Sequence, residues 1–361
     1  MPVFITKPVT AIPPEQYFQS EIMAFMLEDS SLSEEEERKV KAVYKESGIG
    51  YRHSVLSRFR LRDKALRKNE IPESTRQRME VYAQEALNTG LQLMESLQTE
   101  TLPEQGINIG HITHLVWVSC TGMTAPGLET EILRRFPFHE SIQATAFNFM
   151  GCHGFFHALR YGSSVVQSEP GAVVLVLCVE LCTLHFKTNS TEDQILANSL
   201  FGDGGAATLI LGDRPSGPSL EIRKQVQKYV HSSADQMAWQ IGEHGFDMRL
   251  SRKLPMSVSR HILSALDKLW DAGIQKDSLN AWILHPGGKR ILDMLQSALN
   301  IPDLGMNPSR EVLRLVGNVS SASVLFALRQ FLETKNEEAS GNGLMLGIGP
   351  GLAIESAVFV Y

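Results

Sequence analysis

An internal repeat is the feature that most constrains the fold of this chain. A buried strand, a polar turn, a helix and a second strand occur once in each half, in the same order. His285 lies 165 residues after Cys120, and Asn318 lies 166 residues after Cys152. The strand that follows in each half is offset by 169 residues. Such spacing predicts two copies of one strand–helix–strand unit and therefore a duplicated α/β fold.

We place the two halves at residues 1–215 and 216–361. The last pair of strands breaks the spacing, because Ala353 follows Ala206 by only 147 residues. The first half therefore contains about 20 extra residues near 182–203. Long insertions at strand ends tend to carry function. We expect this segment to line the active site.

Cys152 is the candidate nucleophile, because an apolar run ends at Met150-Gly151 and a helical pattern begins after the cysteine. The dipole at a helix start favours a thiolate. A buried structural cysteine is the commoner alternative.

The repeat gives Cys152 and Asn318 equivalent places at helix starts and puts His285 at a strand end. Ligands collect at the carboxyl ends of strands in such sheets, so we expect the three side chains to converge. Two chemistries use this set: papain-like peptide hydrolysis, and acyl transfer through a thioester.

Composition and spacing exclude several classes of function. The net charge of −6 argues against a nucleic-acid binder. Four cysteines without a disulfide pattern favour a reducing compartment. With no signal peptide and no apolar run of about 18 residues, we expect a cytoplasmic protein without a membrane span. His153 and His157 have the spacing of a zinc motif, but Gly154 stands where its glutamate belongs, so we expect no metal.

Local patterns predict several helices. Pro13-Pro14-Glu15 predicts a helix that continues to Leu27, and Ser33-Glu34-Glu35-Glu36 is a capping box. Amphipathic periodicity predicts one long helix over 72–99, and a further helix follows at 289–299.

Five motifs occur in an order that resembles the chalcone synthase-like type III polyketide synthases over nearly the whole chain. They are Met150-Gly151-Cys152, Leu200-Phe201-Gly202-Asp203-Gly204, His285-Pro286-Gly287-Gly288, Gly317-Asn318-Val319-Ser320-Ser321-Ala322 and Gly347-Ile348-Gly349-Pro350-Gly351. The resemblance implies a thiolase-type five-layer α/β/α/β/α fold and a homodimer. It also implies repeated condensation of malonyl-CoA onto an acyl-CoA starter, without a carrier protein, metal or redox cofactor. The product is a cyclised pyrone, resorcinol or phloroglucinol.

The resemblance also implies roles for single residues. Cys152 holds the growing acyl chain, and His285 stabilises its thiolate as an ion pair. His285 and Asn318 donate to the enolate that forms when malonyl-CoA loses CO₂. Phe201 matches the family's gatekeeper phenylalanine. Further residues are expected around the cavity: Cys120, Ala125, Cys182, His185, Met248, Ser320 and, in a glycine loop, Gly349.

Two of the implied positions differ from the plant pattern. The loop before Met248 differs in length, so Phe246 is the alternative at that place. Lys39 and Arg52 fall near the family's CoA-phosphate positions, with solvated surface charge as the alternative interpretation. Non-aromatic Cys120, Cys182 and Met248 suggest room for an aliphatic starter.

Three other functions are compatible with parts of this pattern. A ketoacyl-carrier-protein synthase III-like condensing enzyme would share the fold and the three catalytic residues. A papain-like protease would share the residue types. The non-enzyme alternative is an inactive scaffold. The Pro-Gly-Gly after His285, the internal repeat and the complete Cys, His and Asn set favour the polyketide synthase.

Overall fold

Fourteen strands and eleven helices are defined within the part of the chain that the computed structural model describes, residues 1–28, 32–59, 73–188, 191–270, 275–336 and 338–361. The strands are β1 Phe4–Thr6, β2 Val9–Ala11, β3 Glu15–Phe18, β4 Tyr51–Ser54, β5 His114–Ser119, β6 Gln143–Asn148, β7 Val173–Leu181, β8 Asp203–Leu211, β9 Ser219–Tyr229, β10 Met237–Gly242, β11 Gly245–Leu250, β12 Leu279–Leu284, β13 Asn342–Gly349 and β14 Ala353–Val360. The helices are α1 Gln19–Leu27, α2 Glu34–Glu46, α3 Thr75–Ser96, α4 Leu102–Gln105, α5 Leu128–Arg135, α6 Gly154–Ser168, α7 Glu192–Leu200, α8 Leu254–Trp270, α9 Lys289–Leu299, α10 Asn307–Val316 and α11 Ser323–Thr334.

Strand pairing repeats between the two halves. In the first half β5 runs parallel to β7, and β7 runs antiparallel to β8. In the second half β12 runs parallel to β13, and β13 runs antiparallel to β14. Strand β1 pairs with both β8 and β9, so the halves join in one ten-stranded sheet. The predicted duplication is confirmed by this repeated pairing.

Three hydrophobic clusters separate the layers. Helices α3 and α5 pack on one side of the first half, and α8 and α9 pack on the far side of the second half. Helices α6 and α11 lie between the half-sheets, where apolar residues of both halves form the central cluster. This is the five-layer α/β/α/β/α fold that the sequence predicted, and burial on both sides explains why α6 and α11 are apolar around much of their circumference.

The repeat matches residues differently from the sequence spacing around Cys152. The turn Gly151–His153 precedes α6, and the turn Ser320–Ala322 precedes α11. The two turns, the two helices and the strands β7 and β13 each begin 169 positions apart. The counterpart of Cys152 is therefore Ser321. Asn318 lies three positions earlier, so the predicted equivalence of Cys152 and Asn318 is wrong.

Two other expectations about local structure have mixed outcomes. The capping box at Ser33 is confirmed, since the Ser33 hydroxyl accepts from the backbone N–H of Glu36. The helix predicted from Pro13 is wrong in its first part. Residues Glu15–Phe18 pair with β4 as an antiparallel strand, and only then does α1 begin. Pairing with a distant strand outweighs the local helical pattern.

The predicted insertion is present between β7 and β8. Their connection spans residues 182–202, whereas β13 and β14 are joined by residues 350–352 alone. The predicted boundary between the halves falls in the link between β8 and β9, residues 212–218. Among the described helices none is long and apolar enough to cross a membrane.

Candidate active site

Cys152, His285 and Asn318 line one cavity of about 400 Å³. The first half contributes Cys152 and the second half contributes the other two residues, as the sequence predicted. All three side chains are buried. Six more predicted residues line the same cavity: Cys120, Cys182, His185, Phe201, Met248 and Ser320. The insertion also contributes, through the described residues Cys182–Phe186 and Glu192–Phe201.

The orientation of the Asn318 amide is fixed by its neighbours. Its Oδ1 accepts from the backbone N–H of Ser320 at 2.9 Å and from the Ser323 hydroxyl at 3.2 Å. Because a backbone N–H only donates, the oxygen must lie on this side. The Nδ2 group donates to the Gly287 carbonyl at 3.3 Å and also interacts with Cys152. The amide therefore presents an N–H donor beside the nucleophile.

Burial sets the charge state of the catalytic pair at rest. It raises the pKa of the Cys152 thiol to about 12, although hydrogen bonds from Ser320 and Asn318 act in the opposite direction. Burial lowers the pKa of His285 to about 4. Both shifts oppose the thiolate–imidazolium pair that the sequence predicted. Such a pair needs the mutual attraction of the two charges to outweigh their desolvation, and it stays a prediction.

A buried carboxylate joins the two halves beside the cavity. Glu180 Oε2 accepts from the backbone N–H of Cys120 and the Thr121 hydroxyl, both at 3.0 Å. Its Oε1 accepts from the Ser321 hydroxyl at 2.5 Å. Burial raises the pKa of this carboxyl group above its usual value. Sequence reasoning missed Glu180, although one acidic residue within the apolar strand β7 is a signal of a specific partner.

The hairpin β10–β11 forms another wall of the cavity. Trp239 and Met248 lie directly opposite each other on its two strands, and both line the cavity. The Trp239 indole donates to the Cys120 carbonyl at 2.7 Å. Phe246, the alternative to Met248, is buried and stacks on His185 with ring centroids 4.0 Å apart. The sequence contained no signal that singled out Trp239.

The Phe201 loop is tied to the loop of Asn318. The backbone N–H of Asn318 donates to Leu200 at 2.9 Å, and that of Gly202 donates back to Asn318 at 3.0 Å. Phe201 itself lines the cavity and packs against the core of the second half. The predicted gatekeeper is thus attached to a loop that carries a catalytic candidate.

Arg52 is not at the cavity entrance, and its prediction as a CoA-phosphate ligand is wrong. Its side chain is 1% exposed, and one guanidinium nitrogen donates to the carbonyls of Asn198 at 2.5 Å and Phe201 at 2.8 Å. A buried guanidinium held by the backbone supports the gatekeeper loop and does not reach a ligand phosphate.

Lys39 does line the cavity, but two carboxylates already share its charge. Its ammonium lies 2.8 Å from Glu35 and 3.2 Å from Glu192. Three further basic side chains line the same cavity and are 48–72% exposed: Arg252, Lys289 and Arg290. The positive entrance is therefore broader than the sequence predicted, and most of it belongs to the second half.

Ala125 and Gly349 do not line the cavity of this chain, contrary to expectation. Ala125 is exposed in the connection between β5 and α5. Gly349 packs against His153, and a Cβ there would lie 1.5 Å from Nδ1 of that ring. Its neighbours Ile348 and Pro350 reach the cavity instead. Gly349 is thus needed for the fit of His153.

Comparison with known proteins matches two family models to almost the whole chain. The N-terminal domain of chalcone and stilbene synthases matches residues 5–215, and the C-terminal domain matches residues 221–360. A thiolase-type fold with a buried Cys, His and Asn set at one cavity defines a condensing enzyme. The chain belongs to the chalcone and stilbene synthase family, and it is a type III polyketide synthase, an acyltransferase.

Two curated relatives are each 27% identical to this chain. One is the probable polyketide synthase 1 of Dictyostelium discoideum, with 96% of this chain matched, which spans only 11% of that protein. The other is the alpha-pyrone synthesis polyketide synthase-like Pks18 of Mycobacterium tuberculosis, with 89% of this chain and 82% of the relative matched.

Solved structures share the fold over the full chain. The C-terminal type III polyketide synthase domain of Steely1 from Dictyostelium is 25% identical with a TM-score of 0.90, covering 99% of both chains. The 1,3,6,8-tetrahydroxynaphthalene synthase of Streptomyces coelicolor gives a TM-score of 0.87 at 23% identity, also over 99% of both chains. The protease and scaffold alternatives therefore do not apply.

Proposed function

We propose that this chain condenses malonyl-CoA with an acyl-CoA starter through an acyl-Cys152 thioester and then cyclises the chain. The observation that carries this proposal is the convergence of Cys152, His285 and Asn318 on one buried cavity. The basic entrance and the apolar interior of that cavity suit a substrate with an anionic end and an acyl end.

The first step loads the starter. The Cys152 thiolate attacks the thioester carbonyl, the carbon–sulfur bond to CoA breaks, and CoA leaves as a thiol after taking a proton. His285 is the group placed to take the Cys152 proton and to hold the resulting charge. Burial raises the cost of a lone thiolate, so the reaction needs this partner.

The second step lengthens the chain. Malonyl-CoA releases CO₂, and the electrons of the broken carbon–carbon bond form an enolate. The oriented Nδ2 group of Asn318 and the His285 ring donate to its oxygen. The enolate carbon attacks acyl-Cys152, and the thiolate is released. The product is a β-ketoacyl-CoA two carbons longer, which can reload for another round.

The starter is proposed to be an aliphatic acyl-CoA. Most of the cavity wall around Cys152 is aliphatic or thiol-bearing, with Cys120, Cys182 and Met248 in the lining. Trp239 is the aromatic exception and limits the depth of the cavity. Since the mycobacterial relative is described by α-pyrone synthesis, we propose an alkylpyrone or alkylresorcinol as the product.

The CoA end is proposed to bind at the basic entrance. Lys289 and Arg290 begin helix α9, next to the His285 loop, and Arg252 lies opposite on the cavity wall. Their exposed charges can exchange a carboxylate partner for a phosphate at small cost, because surface ion pairs are weak. Lys39 completes this entrance from the first half.

A homodimer is proposed from the free edge of β6. This strand is at the end of the sheet and, within the described residues, pairs with β5 alone. None of its six residues is buried, although Ala144, Ala146 and Phe147 are apolar. Exposed strand edges are normally covered, and a second copy would cover this one, with Ala125 as the predicted residue nearest the partner's cavity.

The thioester chemistry requires Cys152 in its reduced form, which favours a reducing compartment such as the cytoplasm. The experiment that tests the proposal uses purified enzyme, malonyl-CoA and starters of increasing length, with products identified by mass spectrometry. We expect pyrones or resorcinols from medium or long aliphatic acyl-CoA. Turnover of aromatic or short esters alone would contradict the aliphatic starter, and a need for acyl carrier protein would contradict the reaction.

A further inference from the structure

A second cluster of ligand-type side chains lies beside the catalytic turn and outside the cavity. One ring nitrogen of His153, one of His157 and one carboxylate oxygen of Glu355 all lie within 4.8 Å of one another. His153 and His157 come from the turn and first helical turn after Cys152, and Glu355 comes from β14 in the other half. None of the three residues has a part in the proposed condensation.

The two histidines are not satisfied by the protein. His153 is 4% exposed, and within the described residues its Nδ1 has no hydrogen-bond partner. The Nε2 of His157 is likewise buried and unpartnered there. Buried polar nitrogens are normally hydrogen-bonded, so two such atoms beside one carboxylate need an explanation.

The surroundings hold these side chains in place. Gly349 leaves the space that the His153 ring occupies. Glu355, which is 1% exposed, accepts from Arg160 at 2.6 Å through Oε2. Its Oε1 faces His157 Nε2 at 4.0 Å and also accepts from Gln227. One carboxylate oxygen therefore carries a cation already, and the other faces the histidines.

We propose that His153, His157 and Glu355 bind one divalent metal ion, with Zn²⁺ as the preferred ion. Two imidazoles and a carboxylate are a known set for zinc, at about 2.0–2.2 Å from the metal. Ligands at those distances lie roughly 3.4 Å apart on a tetrahedral ion. The present separations therefore close by about 1 Å through side-chain rotation alone.

Charge balance requires one adjustment. Arg160 pairs with Glu355, but its side chain is 37% exposed, so it can turn toward solvent when a dication arrives. Water completes the tetrahedron. The zinc interpretation was set aside in the sequence because no glutamate follows His153, and the third ligand is supplied by a strand about 200 residues further along the chain.

The ion would connect the two halves of the fold at the nucleophile turn. His153 neighbours Cys152, while Glu355 is on the strand that follows the glycine loop. Binding would stabilise the folded chain by mass action and hold the start of α6 against β14.

The test measures metal binding by the full-length protein. Metal-free enzyme is titrated with Zn²⁺ by calorimetry at neutral pH, and with Co²⁺ by absorbance. We expect one ion per chain, visible ligand-field bands without a thiolate-to-cobalt charge-transfer band, and a Tm higher by a few degrees with Zn²⁺. H157Q and E355Q should each weaken Zn²⁺ by at least about 100-fold, since each removes a ligand.

Two controls separate this site from others. H139Q changes an exposed histidine outside the cluster and should bind as the wild type does. C152A removes the thiol of the cavity and should also keep the ion. Absence of stoichiometric uptake by the wild type would overturn the proposal. So would binding that survives both H157Q and E355Q, or binding that C152A abolishes together with a thiolate band.

Discussion

The turns before α6 and α11 have the same backbone and different chemistry. Each begins with a residue in the left-handed region, Gly151 at φ 74° and Ser320 at φ 48°. The second position is Cys152 in one turn, which lines the cavity, and Ser321 in the other, which binds Glu180. Duplication thus supplies two matching helix starts, and only one of them carries a nucleophile.

The difference shows how the second half contributes to the reaction. Its donor is Asn318, three positions before the counterpart of Cys152, and the Ser320 backbone N–H holds that donor in place. The first half contributes the thiol and the insertion, and the second half contributes the two donors and most of the basic entrance. The site is therefore complementary across the repeat and not symmetric.

The largest effect separates the two turns directly. C152A should lower product formation by at least about 10⁴-fold, because the thioester cannot form. S321A, at the matching position, should keep activity within about tenfold. It should still lower the free energy of unfolding by about 1.5–3 kcal/mol through the lost bond to buried Glu180. Turnover assays and denaturant unfolding of both variants measure this. Equal activity losses would contradict the assigned difference.

Asn318→Asp is expected to give the next largest effect. The aspartate keeps the shape and loses the N–H donors, so malonyl-CoA decarboxylation should fall about 100- to 1000-fold. Starter loading onto Cys152 should remain, because it precedes the enolate. Release of CO₂ and acylation of the protein are measured separately. If both steps fall together, Asn318 supports the nucleophile and not the enolate.

His285→Gln tests the ion pair through its pH dependence. Burial raises the pKa of Cys152, so without a counter-ion the thiolate fraction is small at pH 7 and rises about tenfold per pH unit. We expect slow alkylation of Cys152 by iodoacetamide in H285Q, at least about tenfold below wild type at pH 7. The wild-type rate should vary little from pH 6 to 8. A steep rise with pH in both proteins would show that Cys152 rests as a thiol.

Trp239→Ala should change chain-length preference without removing activity. It opens the wall opposite Met248, so the ratio of kcat/KM for a long over a short aliphatic starter should rise about tenfold, a few methylene groups' worth of contact. Trp282→Ala is the matched control, since Trp282 is in β12 and outside the cavity lining. An unchanged ratio would remove Trp239 as the limit of the cavity.

Arg290→Glu should have the smallest effect. Reversing this exposed charge should raise KM for malonyl-CoA a few-fold and leave kcat unchanged, and added salt should reduce the difference. Arg134→Glu reverses an equally exposed arginine on α5 and should leave KM unchanged. A matching change in both variants would indicate net charge and not the entrance.

Local signals in the sequence were enough for much of the fold. Helix α9 has the predicted bounds, and the Ser33 capping box forms as expected, because both depend on nearby residues. The strand β3 was missed because its structure depends on pairing with β4. The match between Cys152 and Asn318 failed because the spacing of the halves varies by several residues, and only the backbone defines the register.

The site shows the same division. Ordered motifs were enough to bring Cys152, His285 and Asn318 together. The burial of Arg52 beneath the Phe201 loop and the fit of His153 against Gly349 depend on contacts between distant segments. A basic residue in a helix-rich region gives no sign of whether it will be exposed, and a glycine gives no sign of which ring will approach it.

The central claim is that Cys152 alone among the cavity thiols carries the substrate. Burial raises the pKa of Cys120 and Cys182 as well, so pKa does not distinguish them. The direct test incubates the enzyme with one aliphatic acyl-CoA without malonyl-CoA, followed by digestion and mass spectrometry of the peptides. We predict a single acyl group on Cys152 that is lost when malonyl-CoA is added. Acylation of Cys120 or Cys182, or an acyl group on Cys152 that malonyl-CoA does not discharge, would contradict the account.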